Sequence, residues 1–291
     1  MQLTLVDAFT SRPYAGNQAA VAVLDHWPDD RTMQQVANEL GWAETAFAVA
    51  RSDGDWDLRW FTPAVEVDLC GHATLATAHL LGGSARFHTR SGRLDCSPSA
   101  PPPGRDGDWI AMAFPADPPT EAPRPHGVDL PGLQWYGRGR TDALAVLGDA
   151  AAVRHFQPDL AAIAALGARC LIVTAAGDRP GIDCVSRVFG PSVGVPEDSV
   201  TGSAHCTLAG WWGPRLGRDE LLGEQASARG GVVAMRRAGD QVVLAGQAVI
   251  VGRILLLASD GPGTAGAVAA RPAGVRPPPG EPVGRGFAPA G

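Results

Sequence analysis

The sequence predicts an α+β protein of two halves that repeat one another in outline, each passing through a glycine turn into a helix enclosed by sheet. Three observations carry this prediction. Many short segments alternate polar and apolar residues, as half-buried strands do. Two stretches, "VDLCGHATLATAHLL" at 67–81 and "EDSVTGSAHCTLAGWW" at 197–212, lead from a glycine turn into a small-residue helix. Both helices are apolar nearly all round ("ATLATAHLL", "HCTLAGWW"), the pattern of a helix buried on every side.

The elements follow in chain order. "QLTLVDAF" alternates as a strand, "SRPYAGN" turns, and "QAAVAVL" resumes extended structure. "DDRTMQQVANEL" has helical spacing through Met33, Val36, Ala37 and Leu40, and Gly41 is placed to end it. "WAETAFAVA" and "WDLRWFT" read as strands, and the helix after Gly71 runs to the glycine pair at 82–83. "SPSAPPPGRDGD" (97–108) reads as a loop or hairpin insertion, and "FPADPPTEAPRPHG" (114–127) as a crossover between halves. The second half has strands near 142–147, 170–175 and 182–189, a helix near 158–166, then the glycine turn and helix at 201–212. Strands return at 231–237 and 241–257. From Asp260 onward the chain is Gly, Pro and Ala without periodicity, so the tail is expected to be disordered. "GHATLA" and "GSAHCTLA" share a Gly, an Ala and a Thr-Leu-Ala, with two extra residues in the second copy.

With 45% hydrophobic and 19% charged residues, the 291-residue chain reads as globular. A net charge of −6 argues against nucleic acid or an anionic membrane surface as partner. All 24 basic residues are arginine, which excludes a Schiff-base lysine and a Walker-type phosphate loop. Five scattered cysteines (70, 96, 170, 184, 206) match neither a disulfide framework nor a zinc site, and the histidines form no ligand pattern, so no metal is expected. The first residues lack a basic region followed by an apolar stretch, and no apolar run reaches the ~18 residues that would span a membrane. The expectation is a reduced, cytoplasmic protein.

The chemistry points to the glycine turns. A helix start leaves N–H groups unpaired and carries partial positive charge, and glycine lets a ligand approach the backbone. If the halves are related by a pseudo-twofold axis, Gly71 and Gly202 can face one cleft and hold one small carboxylate; alternatively they only shape turns. Glu44 lies within the apolar strand "GWAETAFAV", where a carboxylate needs a partner or a task. It suits a proton-carrying acid/base, or else sits at an exposed edge or pairs with an arginine. Asp198, His72 and Ser203 each have a structural reading as a turn, helix-start or capping residue, and their concentration at two matched turns favours function. "ARGG" at 228–231 reads as a turn, with Arg229 as a lesser candidate for a substrate acid.

At these residues the chain resembles a known family. "VDAFTSRPYAGNQAAVAVL", "WAETAF", "FTPAVEVDLCGHATLA", "SRVFGPSVGVPEDSVTGSAHC" and "QASARGG" are similar to the PhzF-like family, named for the phenazine-biosynthesis isomerase, in register from residue 1 to about 258. The resemblance implies a diaminopimelate-epimerase-like fold of two pseudo-symmetric domains, each a curved, mainly antiparallel, barrel-like sheet around a central helix. On that pattern the halves span 1–115 and 116–246, with a strand from about 247–258 completing the first and the tail at 260–291. It implies no metal or organic cofactor, a small carboxylate or amino-acid substrate, and a homodimer. Glu44 corresponds to the family's proton-shuttling acid/base. His72 and Asp198 correspond to substrate contacts, with Gly71, Gly202 and Ser203 at the helix starts and Ala73, Cys70 and Thr201 beside them. The implied reaction moves a proton between carbons of a small unsaturated acid, in phenazine-like or alkylproline-type secondary metabolism. Ser199 and Gln18 stand where the family usually has proline, and the first replacement is expected to loosen the Asp198 loop or reshape the pocket. A second enzymatic reading is a racemase, epimerase or hydroxyproline-dehydratase type using Cys70 and Thr201. A third is a binding or scaffold homologue without catalysis.

Overall fold

The computed structural model describes residues 1–257, and the tail expected at 260–291 lies outside them. Strands β1 (Gln2–Ala8) and β2 (Asn17–Leu24) pair antiparallel, and α1 (Asp30–Leu40) crosses to β3 (Glu44–Ala50). Next come β4 (Trp56–Phe61), the two-residue β5 (Glu66–Val67), α2 (Gly71–Leu80), β6 (Ala85–Thr89), β7 (Gly92–Ser99) and β8 (Trp109–Pro115). Beyond β9 (Thr120–Glu121) lie β10 (Trp135–Arg138), β11 (Ala143–Val146), the short helices α3 (Ala150–Arg154) and α4 (Leu160–Ala164), β12 (Leu171–Ala176) and β13 (Cys184–Gly190). Then follow β14 (Val195–Asp198), α5 (Gly202–Leu216), β15 (Glu220–Gln225), β16 (Gly231–Ala238), β17 (Gln241–Gly246) and β18 (Ala248–Leu255).

The duplication is written in the hydrogen bonding. From β1 the order is β1–β2 antiparallel, β2–β3 parallel, β3–β4 antiparallel, β4–β6 parallel, then β7 and β8 antiparallel. From β10 the same senses recur: β10–β11 antiparallel, β11–β12 parallel, β12–β13 antiparallel, β13–β15 parallel, then β16 and β17 antiparallel. The short β5 and β14 sit antiparallel on β4 and β13, at matching places just before each glycine turn. Strand β8 pairs with β17, joining both series into one open, curled sheet. Strand β18 returns to pair with β1.

Each series encloses one helix. Helix α2 lies against β1, β2, β3, β8 and β18, and its residues from His72 to Ala78 are all buried. Helix α5 lies against β8, β15, β16 and β17 and buries Ala204 through Ala209. The small side chains of α2, Ala73, Ala76 and Ala78, let strands close around it, and Leu75 fills the centre. Burying one such leucine stabilises the fold by about 2 kcal/mol. By contrast α1 is amphipathic, burying only Met33 and Ala37. It is capped at its start by Asp29, whose carboxylate accepts from the Thr32 N–H, and stopped by Gly41 at a φ of 63°.

Several local readings needed correction. Residues 97–99, read as loop, finish β7, because alternation there is masked by Pro98 and two serines. Strands β10 ("WYGR") and β15 ("ELLGEQ") carry too much glycine and charge to stand out. The strand structure expected at 241–257 comprises β17 and β18, with Gln247 between them where the chain passes from one series to the other.

Candidate active site

The two glycine turns meet. A Cβ added to Gly71 would lie 3.7 Å from the Gly202 Cα, and one added to Gly202 would lie 3.7 Å from the Gly71 Cα. The peripheral helices α1, α3 and α4 each begin with an aspartate, Asp29, Asp149 or Asp159, whose side chain accepts a first-turn N–H. Cys70 and Thr201, at the starts of α2 and α5, provide no such side-chain cap. Two uncapped positive helix ends therefore converge on one place.

Glu44 opens β3, an interior strand flanked by β2 and β4. Its side chain is 19% exposed, and its Oε2 lies 3.0 Å from Nε2 of the buried His72. Its partner is thus an imidazole, not an arginine. The separation is that of an ion pair, but the carboxylate stands off the ring's N–H direction, so Nε2 has no aligned hydrogen bond. On the other ring edge, Nδ1 is 3.2 Å from Asn17 Nδ2 and 3.5 Å from Cys70 Sγ. Burial is the largest influence on His72 and disfavours imidazolium, but charge on Cys70 and Glu44 outweighs it and carries the ring's pKa well above its ordinary value. Part of that pull requires a Cys70 thiolate, and burial, reinforced by Glu44, raises the thiol's own pKa. Around neutral pH the thiol is protonated and that part is missing.

The second turn is a lattice of fixed polar bonds. Asp198 Oδ2 accepts from Thr201 Oγ1 at 2.5 Å, and Oδ1 from Asn17 Nδ2 at 2.8 Å. Buried Gln225 accepts the Thr201 N–H and donates to the Asp198 carbonyl, both at 2.8 Å. Ser203 Oγ accepts from Arg169 Nη2 at 2.8 Å, leaving its own proton free to donate. Arg169 is gripped by Asp142, whose side chain is 2% exposed. Burial works against the guanidinium charge, but bonding to Asp142 outweighs it and raises the pKa further. Ala73, in the first turn of α2, is wholly buried.

Asn17 joins the turns and was not singled out in the sequence. Besides Asp198 and His72, its Nδ2 donates to the Val200 carbonyl at 2.9 Å. Arg169 and Gln225 were also missed; the "GN" before Gln18 was a signal for Asn17, whereas "GARC" and "GEQA" offered none for the other two. The loosening expected from Ser199 is countered: three successive carbonyls, of Asp198, Ser199 and Val200, are taken by donors from Gln225, Ser227 and Asn17. Arg229 does not face this site. It donates to buried Asp7 and to the carbonyls of Ala15 and Gly16, pinning the loop that delivers Asn17. Gly16 must be glycine there, with a φ of 66° and the Ala8 carbonyl 2.1 Å from where a Cβ would stand.

Among the described residues, two groups bring metal-ligating atoms together, Glu44–Cys70–His72 and Asp53–Asp55–His88. In the first, thiol and carboxylate flank different ring nitrogens, an arrangement suited to relaying a proton rather than to enclosing one ion. In the second, Arg51 and Arg86 already neutralise the carboxylates. A cleft of about 1070 Å³ over β7, β8 and β15–β17, and one of about 510 Å³ beside Phe9 and Trp109, do not reach Glu44, His72 or Asp198. No helix among the described residues is long and apolar enough to cross a membrane.

This fold agrees with what comparison finds. The phenazine biosynthesis-like protein family matches residues 6–253. An uncharacterized isomerase of Pseudomonas aeruginosa is 46% identical over 261 residues, covering 86% of this chain and 97% of its own. An uncharacterized isomerase of Halalkalibacterium halodurans is 43% identical over 265 residues, covering 87% and 97%. A crystal structure of a phenazine biosynthesis protein of the PhzF family from Enterococcus faecalis superposes with a TM-score of 0.78 at 35% identity, covering 87% of this chain and 97% of that one. The chain belongs to the phenazine biosynthesis-like (PhzF) family.

Proposed function

We propose that the protein is a cofactor-independent isomerase that moves a proton between carbons of a small unsaturated carboxylic or amino acid, with Glu44 as the single acid/base. The observation that carries this reading is the meeting of two uncapped helix starts beside the Glu44–His72 pair. Backbone N–H groups of both turns receive the substrate carboxylate and the negative charge that develops as Glu44 removes a proton beside a conjugated system. The same carboxyl returns the proton further along, so no second base is needed. Ser203, with its free hydroxyl proton, and the backbone at Gly71 and Gly202 hold the acid; Asp198 keeps lone pairs for a substrate amino group while its protein bonds fix its position. On this reading the substrate is a pyrroline-like or dihydroaromatic acid of secondary metabolism, processed by a cytoplasmic homodimer. Against the cysteine-type reading, the Thr201 hydroxyl proton is given to Asp198 and the Cys70 thiol is held neutral by burial.

The test is incubation with small unsaturated amino and carboxylic acids in heavy water, with deuterium entry followed by NMR. Exchange that survives Cys70→Ser and vanishes in Glu44→Gln supports the proposal. Exchange that survives Glu44→Gln and vanishes in Cys70→Ser overturns it, and tight binding without exchange by the unaltered protein favours the scaffold reading.

A further inference from the structure

We propose that Asn17 is a positioning residue that sets the tautomer of His72, holding Nδ1 as an acceptor so that the proton of the neutral ring resides on Nε2, facing Glu44. Asn17 begins β2 and is 2% exposed. Its Nδ2 lies 2.8 Å from Asp198 Oδ1, 2.9 Å from the Val200 carbonyl and 3.2 Å from His72 Nδ1. A carboxylate and a carbonyl only accept, so these two partners fix which way the amide faces: nitrogen, not oxygen, points at all three. An amide nitrogen offers no lone pair. Its two N–H groups serve three acceptors, so a lone pair on Nδ1 takes a share of one of them, whereas a proton on Nδ1 would face a nitrogen that cannot accept it. The ring proton falls to Nε2, 3.0 Å from Glu44 Oε2.

The groups facing this ring are few. Glu44 reaches it from β3, Cys70 from the turn before α2, and Asp198 acts from β14 through Asn17. The Cys70 thiol can share the Nδ1 lone pair as a weak donor, whereas a thiolate would call for a proton on Nδ1. An Nε2–H steadies the Glu44 carboxylate, and because it has no aligned partner it remains a donor for charge developing on a bound acid. Asn17 and His72 belong to the first series of elements, Asp198 and Val200 to the second. The proton arrangement of the acid/base pair thus depends on the two series being docked together.

The catalytic consequence rests on Glu44 being the acid/base, but the tautomer can be read without any substrate. The full chain is labelled with ring-¹⁵N histidine, and long-range ¹H–¹⁵N correlations are recorded from pH 7 upward until the ring is neutral, with His72 assigned by its loss in His72→Gln. The expected result is a bare Nδ1 and a protonated Nε2. Asn17→Asp, which replaces the donor with an acceptor of the same size, moves the proton to Nδ1 or protonates both nitrogens. In the exchange assay it lowers turnover by ~10-fold or more with KM little changed. A wild-type neutral ring that carries its proton on Nδ1 overturns the proposal even if the variant fails to fold. So does a folded Asn17→Asp protein that keeps the Nε2–H tautomer. If the Nε2–H tautomer is found while Glu44→Gln retains exchange, the tautomer assignment stands and the Glu44 mechanism falls.

Discussion

Set side by side, the two glycine turns are the same frame carrying different chemistry. Cys70-Gly71-His72-Ala73-Thr74 matches Thr201-Gly202-Ser203-Ala204-His205 residue for residue at the helix start. In each, the fourth residue after the first bonds back to its carbonyl: Thr74 Oγ1 to Cys70 at 2.6 Å, His205 Nδ1 to Thr201 at 2.8 Å. Around the first turn stand a carboxyl, an imidazole and a thiol, with Asn17 against the imidazole. Around the second, Asp142, Arg169, Asp198 and Gln225 lock one another in place. The repeat supplies two equivalent helix starts; titratable side chains gather at one and a network of fixed polar bonds at the other.

The largest effect should separate the turns kinetically. Glu44→Gln is expected to lower turnover by ~10³-fold, whereas Ser203→Ala should raise KM by ~10-fold and leave turnover nearly unchanged. Steady-state kinetics showing both variants altered in the same parameter would erase the division of labour. Next, Arg169→Met strands the buried Asp142 carboxylate and should cost about 3 kcal/mol in urea unfolding. Adding Asp142→Asn should restore most of it; no recovery would mean the pair does not act as a unit. A smaller, pH-dependent effect belongs to His205, wholly buried and pushed down to about 4 from 6.5 by desolvation. The folded state resists its protonation, so its contribution is full above about pH 6.5 and is lost as pH falls towards 4. Between pH 7 and 5 the wild type should lose about 2 kcal/mol more than His205→Gln. The smallest lies at the capped periphery: Asp149→Ala should cost about 1 kcal/mol of stability and leave exchange untouched.

Much of this was legible because burial leaves a strong trace. Helices apolar on every side announced enclosure, and a glutamate within "WAETAFAV" announced a partner or a task. The two glycine turns coincide, and the two extra residues counted in the second copy fall inside its helix. Thr74-Leu75-Ala76 and Thr207-Leu208-Ala209, which suggested the match, fall two positions apart once the helix starts coincide. What binds at a distance left no trace. Nothing near Arg169 foretells a serine 34 residues on, nor does "GNQ" reveal that Asn17 spans to Asp198. Such pairings are set by the curling of the sheet, and periodicity reports only which face a residue takes.

Strand β18 gives this architecture an order in time. Among the described residues it is the last strand in the sequence, yet it lies along β1, the first, and the amino group of Met1 bonds to the carbonyl of Leu256. Until residues 248–255 emerge, the earliest-made sheet shows an unclaimed edge, the kind of surface that recruits other nascent chains. Gln2 pairs with Leu255, so closing this edge joins residues separated by nearly the whole described length, the kind of contact that slows folding.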